Sequence, residues 1–246
     1  YLPFNAPHGA SNLDPAIRTG AQAPDKYKSL YPELQAQVAT EQRPRKRYGD
    51  KLYVVPNKPA RRLEFVGSVT AMDAAIGEVL DFLDEQGLAK DTIVIFFSDN
   101  GGAAYASGGA DNVPLRGGKG NTFEGGIRVV SVMRWPGVIE PGTKVESIIS
   151  VMDIFPSLAA AANVPIEGTR KLDGRNMWPA IAEKKKIERE DLLFFASETP
   201  IRGSFSLTAF NDEWKLVQQV RQGLLSADVT NYLFQIDDDP NEYNNL

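Results

Sequence analysis

The sequence predicts an α/β protein: a mostly parallel or mixed central sheet flanked by helices, followed by a small antiparallel sheet subdomain near the C-terminal end. Three observations predict it. Phe65, Val66, Val69, Met72, Ile76, Val79, Leu80 and Leu83 recur at helical spacing, so one face of a long helix is apolar. "TIVIFF" at 92–97 is an unbroken apolar run rich in β-branched and aromatic residues, the mark of a strand covered on both faces and hence of a parallel strand. Helix followed by buried strand implies a crossover unit. Beyond residue 188, "DLLFFASE", "GSFSLTAFND", "EWKLVQQV" and "NYLFQID" alternate short apolar segments with turn residues, which predicts antiparallel strands.

Taken in order, "YLPFNAPHG" reads as the end of a buried strand, broken into a loop by Pro7 and Gly9. With no initiating Met, this start leads us to expect sequence upstream. Residues 10–63 are polar, proline-rich and aperiodic apart from "PDKYKSLYPELQAQVATEQ", which accommodates a short helix or two. Such text forms substrate-facing loops or plain surface excursions. The periodic helix spans 63–86 and Gly87 stops it; Asp73, Glu78, Asp81 and Asp84 lie on its other face. "IRVVSVMRW" reads as a second buried strand closed by Pro136-Gly137. In "DIFPSLAAAANV", Asp153 is expected to cap a helix with Pro156 in its first turn, where a missing N–H costs least. "KLDGRNMWPAIAEKKK" adds a short helix with Lys184, Lys185 and Lys186 as its solvated end. We therefore expect residues 1–187 to belong to an α/β domain and 188–246 to the antiparallel subdomain.

Composition excludes several functions. With 246 residues and 42% hydrophobic content the chain can build a real core. A net charge of −5 argues against nucleic acid as the main partner, because phosphate binding needs a clustered excess of Lys and Arg. The charge is uneven: residues 1–66 hold 11 Lys and Arg against 6 Asp and Glu, and the remainder 16 against 26. Arg43, Arg45, Lys46, Arg47, Lys58, Arg61 and Arg62 fit either a solvated loop or a surface that steers a polyanionic partner. There is no cysteine, which removes disulfides, thiolate metal sites and a cysteine nucleophile from this chain. No apolar run approaches the roughly 20 residues of a membrane span and no signal segment opens the chain, so no membrane association is expected.

The chemistry-bearing text begins with "VIFFSDNGG". In open α/β sheets ligands gather at the carboxyl ends of strands, where Asp99 and Asn100 fall. Side by side they offer two hard oxygens suited to Ca²⁺ or Mg²⁺, whereas a single histidine and no cysteine make zinc a poor match. The same residues also fit a plain Asx turn ahead of Gly101-Gly102. The segment "NVPLRGGKGNTFEGGIRVVSVMRWPG" follows. Gly117, Gly118, Gly120, Gly125 and Gly126 let backbone lie close to a ligand, and Arg116 and Lys119 add fixed positive charge, a combination suited to an anion. Neither a Walker loop nor a GxGxxG dinucleotide fingerprint is present. Taken alone, Lys119 also fits an ordinary solvated lysine and His8 a surface loop histidine.

Together, "GLAKDTIVIFFSDNGG", "PLRGGKGNTFEGGIRVVSVMRWPG", "ISVMDIFPSLAAAANV" and "LDGRNMWPAI" resemble the second half of the arylsulfatase-type sulfatases, within the alkaline phosphatase superfamily. "YLPFNAPHG" resembles the family's active-site histidine loop, and "LFQIDDDPNEYNNL" its usual ending. The resemblance implies that Asp99 and Asn100 complete the coordination of a divalent cation, usually calcium. It implies that Lys119 contacts the substrate sulfate, with Arg116 in the same substrate-binding loop, and that His8 contacts the sulfate near the leaving-group oxygen.

One departure stands out. Sulfatases use a formylglycine nucleophile made from the Cys or Ser of a C/S-x-P-x-R motif, and further metal-binding aspartates, all in the first half of the protein. This chain holds no such motif; the nearest string, "FPSL" at 155–158, lacks the arginine. The expectation is half an active site, with the nucleophile on an N-terminal half of the same protein or on a second polypeptide. The implied substrate is a sulfated carbohydrate, the resemblance running closest to the N-acetylgalactosamine sulfatase type, or a simple aryl sulfate. The alternatives are a phosphatase or phosphodiesterase of the same superfamily and a catalytically silent binder of sulfated glycans. The resemblance also implies export, to the periplasm or outside the cell, or to the lysosome in a eukaryote.

Overall fold

A computed structural model describes residues 1–9, 20–40, 45–48, 51–54, 58–103, 109–168, 170–189, 191–199, 204–222 and 226–246; of 45–48, 51–54, 198 and 199 it describes the backbone. Two compact units result. One comprises Tyr1–Leu88, Asn100–Gly120 and Gly125–Arg128, the other Ala89–Asp99, Asn121–Glu124 and Val129–Leu246.

In the first unit, helices α1 (Asp25–Lys28) and α2 (Pro32–Thr40) precede an antiparallel pair, β1 (Arg45–Tyr48) and β2 (Lys51–Val54), and then the long helix α3 (Lys58–Glu85). The periodic helix therefore exists and begins five residues before the predicted start. Pro59 stands in its first turn, where no N–H is needed. Gly87, at a φ of 69°, takes the left-handed conformation that ends helices. The apolar stripe from Phe65 to Leu83 is half-buried; the fully buried residues are Leu63, Gly67 and Ser68 near the N-terminal end, and Phe82 is 55% exposed. Segments from α1 and α2 lie on that end: Ala23 N–H donates to Glu64 Oε2 at 2.9 Å, Lys28 Nζ pairs with Glu64 Oε1 at 3.0 Å, and the hydroxyls of Tyr31 and Thr70 meet at 2.6 Å. Part of the basic stretch is structural. Arg62 donates to the Gly109 carbonyl. Arg43, and the side chains of Arg45, Lys46 and Arg47, lie outside the described residues.

The second unit holds β3 (Val94–Phe97) and β4 (Ser131–Arg134); the chain passes between units within the single helical turn α4 (Glu124–Ile127), with Glu124 in the second unit and the residues after it in the first. The pairing corrects the expectation for these two strands. β3 and β4 are antiparallel, with Val94 opposite Arg134 and Phe97 opposite Ser131, and among the described residues every paired strand is antiparallel. Nor are they fully covered, since Phe97 is 42% and Val132 58% exposed. An apolar run makes a strand without choosing its partner's direction.

Asp153 caps one turn earlier than expected, closing a capping box with Ser150 on the turn Val151–Asp153 that leads into the next helix. Its side chain does not cap α5 (Ile154–Ala161). Instead Oδ2 accepts from Ser150 N–H at 2.7 Å and from Arg189, and Oδ1 accepts from Arg175 N–H at 2.8 Å, all in a fully buried position. The "LDGR" turn is thus pinned against "DIFPS". A Cβ on Gly174 would sit 1.9 Å from the Met152 carbonyl, and Ser157 Oγ accepts from Met177 N–H at 2.8 Å. Met177, Ala180 and Ile181, around α6 (Trp178–Ala182), close an apolar cluster with Met133 and Ile187. Lys184, Lys185 and Lys186 are exposed and each contacts a glutamate.

The expected antiparallel sheet is a meander of β5 (Leu193–Thr199), β6 (Ser204–Phe210), β7 (Trp214–Gln222) and β8 (Ala227–Gln235). Its inner face packs Val217 and Phe234 against Phe123, whose ring meets Tyr232 edge-on at 5.4 Å. On β7 the period of two puts Lys215 and Val217 inside and Leu216 outside. Lys215 is fully buried, with Nζ 2.7 Å from Glu124 Oε1 and 2.8 Å from Glu242 Oε1; Glu242 Oε2 accepts from Glu124 N–H at 2.7 Å. Two carboxylates thus share one ammonium in the core. Burial pushes the Glu242 carboxyl up from the ordinary glutamate range against the pull of Lys215.

Two consequences are measurable. Lys215→Met leaves both carboxylates buried without their cation and should lower the unfolding free energy by about 3–5 kcal/mol in denaturant titrations. A carboxyl with a raised folded-state pKa binds its proton more tightly when folded, so its stabilisation is full below the unfolded value, about 4.3, and is lost as pH rises through the folded value. Glu242→Gln, which keeps the acceptor and removes the charge, should therefore flatten the loss of stability between that pH and neutrality; an unchanged pH profile would refute the raised pKa.

Candidate active site

Strand β3 delivers the chain to Ser98, whose N–H donates to the Val130 carbonyl at 3.2 Å. Asp99 follows, exposed, and then Asn100, half-buried. From Asn100 onward the backbone is held by glycine contacts. Gly101 N–H donates to the Gly126 carbonyl at 2.9 Å, and a Cβ at 101 would fall 1.8 Å from the Gly125 carbonyl oxygen. Gly125 N–H donates to the Arg116 carbonyl at 2.7 Å, and a Cβ at 125 would lie 2.6 Å from the carbonyl oxygens of both Arg116 and Gly117. A Cβ on Gly118 would meet the Gly102 carbonyl oxygen at 2.6 Å. Lys119 N–H donates to that same carbonyl at 3.2 Å. Gly117 and Gly120, at φ of 82° and 89°, turn the loop where other residues would strain.

Three strings, at 100–102, 116–120 and 125–126, therefore lie backbone against backbone. The glycines serve chain-to-chain approach, a role the sequence alone assigned to a ligand. Arg116 and Lys119 are both half-buried on this framework, so the segments bearing Asn100, Arg116 and Lys119 are brought together. Asp99 adjoins them through the peptide bond to Asn100. His8 is exposed in its N-terminal loop, where its N–H donates to the Asn5 carbonyl at 2.8 Å and Nδ1 lies 2.8 Å from the Gly9 carbonyl. A carbonyl only accepts, so Nδ1 carries the proton and Nε2 is the nitrogen left for other contacts.

Sequence reasoning missed Asn112. Its Oδ1 accepts from Gly102 N–H at 2.9 Å, and its Nδ2 donates to the Gly102 carbonyl at 2.8 Å and to the Gly117 carbonyl at 3.1 Å. The only textual signal is an asparagine two residues ahead of proline, which reads as a turn.

Comparison with known proteins decides the family. Residues 1–164 match the Sulfatase family model, and residues 118–246 match the model for the C-terminal part of N-sulphoglucosamine sulphohydrolase. The chain belongs to the sulfatase family. Steryl-sulfatase of Mus musculus is 41% identical over 133 residues, 52% of this chain and 21% of that protein. Arylsulfatase A of Homo sapiens is 37% identical over 146 residues, 58% of this chain and 28% of that protein. Among solved structures, that of Ps i-CgsB superposes with a TM-score of 0.70 at 26% identity, covering 94% of this chain and 44% of that one; the same protein is also solved in complex with k-i-k-neocarrahexaose. The matched part is less than half the length of each of these relatives.

In this sulfatase-family chain the donor set around residue 99 fits a hard cation in part. A carboxylate and an amide oxygen are suitable ligands, but among the described residues no group of three or more His, Cys, Asp or Glu is placed to hold an ion. By itself the pair would give a hard cation only part of the about six to eight oxygens it takes.

Gly125→Ala tests the framework, because its Cβ meets two carbonyl oxygens of another segment rather than a movable side chain. A loss of about 1–3 kcal/mol is expected in chemical denaturation, together with faster amide exchange at Gly101. An unchanged midpoint with unchanged exchange would show that the segments are not in contact.

Proposed function

We propose that this chain supplies the cation- and sulfate-binding part of a sulfuric ester hydrolase acting on a sulfated carbohydrate or an aryl sulfate. The carrying observation is the backbone framework that binds the Asn100 segment to the Arg116–Lys119 loop, within the span that matches the family.

In this reading Asp99 and Asn100 would donate oxygens to a divalent cation, Ca²⁺ or Mg²⁺, whose chemistry there would be to offset negative charge on the sulfuryl group. Lys119 and Arg116 hold the oxygens of that group as fixed positive charge. Because the loop backbone is already fixed, little reorganisation accompanies the shift of charge as the ester bond breaks. His8 offers Nε2 toward the leaving oxygen, and in its imidazolium form donates the proton the departing alkoxide or phenoxide needs. A formylglycine on an upstream N-terminal half, or on a second polypeptide, supplies the nucleophilic oxygen. Ser157 is no substitute, since its hydroxyl is buried and holds Met177 N–H.

The substrate class rests on the relatives: steryl-sulfatase and arylsulfatase A for aryl and steryl esters, and the oligosaccharide complex of Ps i-CgsB for a carbohydrate. Two domains, 1–187 and 188–246, a central sheet with parallel strands and an exported location complete the proposal. No described helix is long and apolar enough to cross a membrane.

The test is hydrolysis of a chromogenic aryl sulfate by the complete protein with Ca²⁺, beside the matching phosphate ester. Lys119→Ala should lower kcat/KM by about a hundredfold or more, the scale of losing one preorganised charge contact. Asp99→Asn should weaken Ca²⁺ binding measured by calorimetry. Faster turnover of the phosphate ester would make it a phosphatase. Binding of sulfated oligosaccharide without product would make it a silent relative.

A further inference from the structure

We propose that Asn112 is a positioning residue for the cation- and sulfate-binding loops. It sets the spacing between the segment that carries Asn100 and the segment that carries Lys119, and touches neither substrate nor cation. The inference rests on the function proposed above and adds a residue to it.

The argument starts from what a side-chain amide can do. It has two N–H donors and one carbonyl oxygen, and at Asn112 all three are engaged by backbone of other segments. Oδ1 and Nδ2 take up the N–H and the carbonyl of Gly102 together, at 2.9 and 2.8 Å, as a neighbouring peptide would. The second Nδ2 hydrogen goes to the Gly117 carbonyl at 3.1 Å. Gly102 lies two residues after Asn100, and Gly117 two residues before Lys119. One planar amide thereby fixes the separation of the two strings, and the Lys119 N–H to Gly102 carbonyl bond at 3.2 Å forms across the gap it sets.

The location excludes looser substitutes. A Cβ on Gly118 would lie 2.8 Å from Asn112 Nδ2 and one on Gly102 would lie 2.9 Å from Asn112 Oδ1, so the amide fills space that glycines leave open on both sides. Aspartate keeps an acceptor for Gly102 N–H but puts one acceptor-only oxygen, in place of Nδ2, against the carbonyls of Gly102 and Gly117. Alanine loses all three bonds. Removal leaves Gly102 N–H and the Gly117 carbonyl without the partners that hold them, and the loops are free to separate.

The consequence differs from simple loss of stability. Displacing a charged group by about 1 Å from its reacting partner costs up to about a hundredfold in rate, and the loss falls on the transition state more than on ground-state binding. In the complete protein, Asn112→Asp and Asn112→Ala should lower kcat for an aryl sulfate by about ten- to a hundredfold with KM changed by less than about threefold. Amide exchange at Gly102 and Lys119 should speed up by about tenfold or more while exchange in the β5–β8 sheet stays unchanged. Because part of the Asn112 effect runs through Lys119, the double variant Asn112→Ala/Lys119→Ala should lose less than the product of the two single losses.

Unchanged exchange at Gly102 and Lys119 in both variants would overturn the proposal, as would rate losses that multiply in the double variant or a KM that rises while kcat holds. A fully active Lys119→Ala would overturn the parent reading and this one together. Asn112→Asp, nearest in size to asparagine, supplies the comparison should the alanine variant fail to fold.

Discussion

The close approach of glycine backbones is the constraint on which the rest of the site depends. Where Gly101 meets Gly125 and Gly118 meets Gly102, the space a methyl group needs is already taken by carbonyl oxygen. Main-chain hydrogen bonds at 2.7–3.2 Å then close between segments that side chains would hold apart. Hydrogen bonds of this kind contribute about 1 kcal/mol each after exchange with water. Their value here is geometric: they place the Cα atoms of Asn100, Arg116 and Lys119 relative to one another, and side-chain length does the remainder. A site built on such a framework needs little reorganisation when charge moves within it.

This constraint was half legible in the sequence. The glycines stand out in "LRGGKGNTFEGG", and so does the positive charge among them, which is why an anion was the natural reading. Their partners were not legible. No local rule says that the carbonyl against Gly101 belongs to Gly125, because the contact is set by tertiary closure. Asn112 was hidden for the same reason. Its three hydrogen bonds all go to residues outside its own turn, whereas a turn asparagine would spend them on its neighbours.

The elements divide in the same way. Helix α3 was legible because its period is local, and Gly87 ended it as a left-handed residue should. Strand β3 was legible as a strand but not in direction, since "TIVIFF" has the same appetite for burial beside an antiparallel partner as beside a parallel one. Buried charge was the least legible. In "EWKLVQQV" the period of two allows either Lys215 or Leu216 to face inward, and hydrophobicity alone favours Leu216. Lys215 wins because Glu124 and Glu242, remote in sequence, both reach its ammonium. Asp153 looked like a cap of α5 and closes a capping box with Ser150 one turn earlier, while also anchoring Arg175 and Arg189 in the core.

Charge also bears on which ester the proposed site prefers. A sulfate monoester carries one negative charge and a phosphate monoester up to two. The loop offers two fixed cations, Arg116 and Lys119. What the loop brings to the anion is thus a small number of fixed positive charges, a modest field suited to a monoanion. Phosphoryl sites that hold a dianion need more positive charge at the reacting group, and with a single histidine this chain has no second imidazole to hold another metal. In the proposed function a sulfate ester is what such restraint in the number of charges suits, and the fixed glycine framework keeps that small number where each one counts.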